Sequence, residues 1–158
     1  MPLFLFSHKL LARPNFYISA YLERNRSEYY ERLLAISRDG DWTGWCAFFL
    51  RALISQADEN QSKAQQILAL YKERKDWIAE ATHSQHAVKA LDWFFANPLF
   101  SASHFVAFSG VPEATSVRIL REVRSKGLLK EIQPASGRRA AVLSFPALLN
   151  IAEGTETF

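Results

Sequence analysis

The sequence has one cysteine in 158 residues, Cys46. No disulfide can close within the chain and no Cys-based metal cage can be assembled, which fits a reducing compartment. Glycine and proline are sparse, six of each, and neither occurs between Gly44 and Pro98. No apolar run approaches the roughly 20 residues that a membrane-spanning helix needs. The apolar opening at residues 1–6 lacks the basic leader and small-residue cleavage site of a signal peptide. A cytoplasmic protein with no membrane partner is the expectation. A strong charge of one sign is missing too: Lys and Arg number 19 against 16 Asp and Glu, a net +3. No internal repeat or low-complexity segment is visible, and an aromatic content of 13% within 49% hydrophobic residues argues against disorder.

The glycine-free interval is the most organised part. Between residues 41 and 81, apolar or small residues recur at Cys46, Leu50, Leu53, Ala57, Ala64, Ile67 and Tyr71, with Asn60 interrupting the series. Steps of four and three keep these positions on one helix face. Asp41 is a good N-cap, just past Gly40, a terminator of the preceding helix. At about 1.5 Å per residue the helix would be roughly 60 Å long, with the polar run at residues 58–63 as a place to bend or break. On this reading Cys46 is a small core residue.

Before it, the spacing predicts short helices over residues 3–11 and 16–23. A third starts at an Asn25/Glu28 capping box and runs through Tyr29, Tyr30, Leu33, Leu34 and Ile36. The aromatic block Trp42, Trp45, Phe48 and Phe49 is expected to pack against them. After it, helices are predicted over residues 85–95, with Val88, Leu91, Phe94 and Phe95 inward, over 102–108, capped by Ser101, and over 113–125, with Val117, Leu120 and Val123 inward. Strands follow over 128–133 and 140–145, joined by a turn containing Arg138 and Arg139, then a helix over 146–152. The fold class is therefore mainly α. Its expected domains are a helical one over 1–82 that includes the long linking helix, one over 83–153 with a small β-ribbon, and a tail, 154–158.

The order helix, helix, tight turn, helix, two-stranded ribbon with a basic turn is that of a winged helix-turn-helix. Between residues 112 and 139, seven bases face three acids, a local +4. A basic patch on such a scaffold points to double-stranded DNA as a partner. Thr115 and Val117, near the N-terminal end of helix 113–125, would lie near base edges, Arg118, Arg121 and Arg124 would fan across its exposed face, and Arg138 and Arg139 would contact phosphates. Winged helices also serve as protein-interaction or dimerisation modules, so that alternative stands beside DNA binding.

The first half resembles a known family. The run from Pro14 to Leu22, then Asn25, Arg26, Tyr29, Tyr30, Leu33, Gly40, Asp41, Trp42, Trp45 and Phe48 to Leu50 are similar to the late helices of the Fic domain, named for filamentation induced by cyclic AMP. The similarity continues through the long helix into a C-terminal winged helix. Fic proteins transfer AMP from ATP, with Mg, to a hydroxyl of a target protein. Their motif is His-Pro-Phe, two residues, then Gly-Asn-Gly-Arg, in which the His is the general base and the Gly-rich turn cradles phosphates. This sequence has no His-Pro pair and no Gly-x-Gly. The resemblance thus implies the C-terminal, non-catalytic portion of a Fic-type AMP transferase, with no enzyme activity and no cofactor of its own. It also implies that Tyr29 and Tyr30 are remnants of an adenosine pocket, although Ser37 stands where the family often places Asn. Read without the resemblance, the pair is one core and one surface aromatic.

Other constellations are weak. Glu80, His83 and His86 have metal-binding spacing but no second pair to face them, and no Ser has an evident His and acid partner. The apolar N-terminal helices, left without the upstream helices of a complete Fic domain, predict a homo-oligomer formed through them.

Overall fold

In a computed structural model of the chain, residues 6–9, 18–137, 139–154 and 156 are described. The described residues form seven helices of six residues or more and one three-stranded antiparallel sheet, so the fold is mainly α. The order is α1 (Ser19–Arg24), α2 (Arg26–Asp39), α3 (Trp42–Thr82), α4 (Ala87–Ala96), β1 (Leu99–Ser101), α5 (Ala102–Phe108), α6 (Glu113–Ser125), β2 (Lys130–Gln133), β3 (Val142–Ser144) and α7 (Pro146–Glu153). The helix expected over residues 3–11 and the start of the one over 16–23 lie largely outside the described residues. The chain divides into two compact units, Met1–Ser62 and Lys63–Phe158. The division falls inside α3, within the expected polar run, and not at residue 82, where α3 ends.

In the first unit, Gly40 ends α2 in the left-handed conformation (φ 70°), which a residue without Cβ adopts without strain. Asp41 then caps α3, its carboxylate accepting from the Gly44 backbone N–H at 2.8 Å. The helix runs 41 residues without a break. The capping box expected at Asn25 does not form. The Asn25 side-chain amide donates to the Tyr21 carbonyl, closing α1, and Glu28 instead takes Arg51 at 3.1 Å. The buried face of this part of α3 is Phe48, Ala52 and Gln56. Tyr21 and Trp45 pack on Phe48, and Tyr29 and Phe49 pack on Trp45, with ring centroids 5.8–6.1 Å apart. Cys46, expected in the core, is exposed, and so are Leu50 and Ala57. Two apolar stripes compete for burial here, and the aromatic one, with more area to remove from water, takes the inward face. Trp42 is the exception in its block and is exposed.

The second unit has one continuous core. The far part of α3 contributes Leu70 and Ile78, α4 contributes Ala87, Ala90, Leu91 and Phe94, α6 contributes Ile119, Leu120 and Val123, and the sheet contributes Phe100 and Leu143. Phe94, Phe100, Phe105 and Trp93 form an aromatic centre with ring centroids 4.7–6.2 Å apart. Tyr71 donates to the Asp92 carboxylate at 2.6 Å, and that bond raises the Tyr71 pKa above its ordinary value. The sheet order is β1-β3-β2. The two predicted ribbon strands are present but shorter: their pairing runs only from Lys130–Ser144 to Gln133–Val142, and Leu128 and Leu129 ahead of β2 are buried in the core. Strand β1 was not predicted; it pairs with β3 through Leu99–Ser144, Phe100–Leu143 and Ser101–Val142. Val88 and Val117, expected inward, are exposed. On α6 the inward positions are Ser116, Ile119, Leu120 and Val123, one residue out of phase with the expected series at its start.

Candidate functional site

Helix α6 is held by a tight corner. Ser101 caps α5 by accepting from the His104 N–H, and α5 ends at Ser109. Gly110 then takes φ 66°, with its carbonyl accepting from Lys89 Nζ at 2.7 Å. Its left-handed turn favours glycine. The Ser109 hydroxyl accepts from the Val111 N–H, and the buried Ser116 hydroxyl donates to the Val111 carbonyl, each at 3.2 Å. These bonds fix the angle at which α6 leaves the corner, while its apolar face grips the core.

The outer face of α6 carries the predicted site residues. Thr115 is half-buried on one flank. Arg118, Arg121 and Arg124 are all exposed, as their spacing requires, but each has a partner. Arg118 reaches back and donates to the Thr82 carbonyl at 2.7 Å, and Lys126 donates to the Ala81 carbonyl at 2.9 Å. Both cations thereby satisfy last-turn carbonyls of α3 and complement the negative end of its dipole. Arg121 lies 3.5 Å from Glu122 and its side chain is 74% exposed. Arg124 is paired with Glu131 on β2. Exposed pairs of this kind contribute about 0–1 kcal/mol and exchange readily for another anion.

At the tip of the ribbon, the Ser136 and Arg139 backbones exchange hydrogen bonds of 3.1 and 2.9 Å, closing the turn. Arg139 is exposed there; Arg138 lies outside the described residues. Between α5, α6 and β2 runs an open groove of about 620 Å³, lined by Ala102, Val106, Val117, Leu120 and Leu129 and rimmed by Arg121, Arg124 and Glu131. Sequence reasoning missed it. The spacing places Val117 inward as well as near base edges, and only the outward position is found; the groove wall contributed by β2 depends on pairing that no local pattern announces.

The tyrosine pair belongs to the first unit. Tyr29 is half-buried with its ring 5.8 Å from Trp45, whereas Tyr30 is 55% exposed beneath the Arg26 guanidinium. The rings meet edge-on at 5.3 Å. Tyr29 faces the helix packing and Tyr30 faces solvent. Among the described residues, no group of three or more His, Cys, Asp or Glu could hold a metal ion, and no helix is long and apolar enough to cross a membrane. No protein-family model matches the chain.

Proposed function

We propose that the second unit is a winged helix-turn-helix module that binds duplex DNA, with α6 entering the major groove and the 134–139 turn reaching the backbone beside it. The observation that carries this reading is the outward arginine face of a helix whose opposite face is fully committed to the core. A support helix, a glycine corner and a basic ribbon tip accompany it, in the order and handover such modules use. Arg121, Arg124 and Arg139 are the contacts of first importance, and Thr115 is a flanking one. Arg118 is the least available, because it holds the end of α3. With the Fic-like pattern of the first unit, the larger reading is a C-terminal, non-catalytic portion of a Fic-type protein AMP transferase. Its DNA-binding module would regulate transcription or the AMP transfer, and ATP and Mg would belong to the complete protein.

Gel-shift on random duplex at two salt concentrations tests the DNA reading. Phosphate-driven binding should fall steeply with salt, and R121E/R124E should remove it while helix content stays unchanged. Retention by the double variant equal to the parent would refute it. The exposed apolar groove favours a second reading, a protein-interaction module. On that reading Val117→Asp, and not the arginine reversal, abolishes partner binding.

A further inference from the structure

The first unit leaves a regular apolar seam on the outside of its longest helix. Ala47, Leu50, Ile54 and Ala57 follow at steps of three, four and three, the polar Gln61 takes the next position four on, and all five are exposed. Leu50 and Ile54 are 57% and 63% exposed, unusual for side chains of that size. The seam lies opposite the face that Phe48, Ala52 and Gln56 bury. A period of 3.5 residues is the one that keeps a stripe facing a second helix along its length, by knobs-into-holes packing. An ordinary solvent face has no reason to keep it.

We propose that this seam pairs with the same seam of a second copy of the chain, as an antiparallel two-helix contact. Three observations select that occupant. The pattern is self-complementary: in an antiparallel pair, Ile54 meets the second copy's small Ala57 and the reverse contact repeats across the two-fold. The flanking charges fit only this direction. Arg51 and Asp58 stand seven apart beside the seam, so antiparallel packing sets each against the other's counterpart, while parallel packing sets Arg51 against the second copy's Cys46. The first unit also has a need for added burial, because Phe48 and Ala52 are the only apolar side chains buried among its described residues. The contact differs from association through the apolar N-terminal helices, which the sequence suggests. The pattern continues along α3 at Ala64 and Leu68, both exposed, but the proposal rests on the first-unit segment.

Analytical ultracentrifugation of the full chain over a wide concentration range tests it. The expected result is a monomer–dimer equilibrium that L50E/I54E converts to monomer with the far-ultraviolet helix signal retained. Asp58→Arg should raise the dimer Kd by roughly tenfold, since it opposes two like charges, and R51E/D58R should restore it. A monomer at every concentration overturns the proposal, as does a dimer indifferent to L50E/I54E. If that double variant loses helix, the charge series decides: rescue by the reversed pair supports the seam, and its failure refutes it.

Discussion

The two units of this chain hold together by different means. The second surrounds an aromatic centre, with Phe94 and Phe105 at 0% exposure and Leu143 beneath them from the sheet. Every element of that unit except β2, from the far part of α3 to α7, adds at least one side chain to it. The first unit has three helix segments around Phe48 and one buried polar side chain, Gln56. The Gln56 amide donates to Asn60, but its Oε1 has no partner among the described groups. The second unit has the burial of an independent domain. The first resembles one layer of a larger or paired structure, with Tyr30, Leu34, Trp42, Leu50 and Ile54 all left facing outward.

Mutation can break or sharpen that contrast. The largest effect should come from Phe94→Ala, which removes a ring in contact with Trp93, Phe100 and Phe105. A loss of about 3–5 kcal/mol is expected, read as a drop in the denaturant midpoint that the second unit reports. Phe48→Ala should cost less, about 2–3 kcal/mol, because a thin layer can collapse around the gap. An equal or larger loss from Phe48→Ala would erase the distinction between the units. Arg118→Ala should cost the second unit about 1 kcal/mol by freeing the Thr82 carbonyl. Arg121→Ala should leave stability unchanged, and matching thermal shifts for the two would show that Arg118 holds nothing. Smallest, and of opposite sign, Gln56→Leu should stabilise the first unit by up to about 1 kcal/mol, since it removes a buried acceptor without a partner. Destabilisation on chemical denaturation would mean that Oε1 is satisfied by solvent.

Some of this was legible in the residues and some was not. Asp41, Gly40, Ser101 and Pro146 marked helix boundaries because caps and terminators act within one turn of backbone. The outward arginines of α6 were legible because i, i+3, i+6 spacing needs only helix geometry. Strand β1 was not, since three residues carry no periodic signal and its pairing with β3 spans more than forty positions of sequence. Nor was the groove, whose walls come from three separate elements. The pair Tyr29 and Tyr30 shows the middle case: adjacent helix positions must diverge, but which one turns inward depends on where Trp45 stands.

Sequence alone determined that the chain is mainly helical, that a long amphipathic helix starts at Asp41, and that a local excess of basic charge lies between residues 112 and 139. Those properties follow from local propensity, capping and composition. Tertiary structure alone decided which of two apolar stripes on α3 is buried, that Arg118 and Lys126 close the end of that helix, and that a third strand joins the ribbon. Burial and hydrogen bonding across long separations depend on which surfaces meet. A periodic stripe names a face but not the partner that covers it.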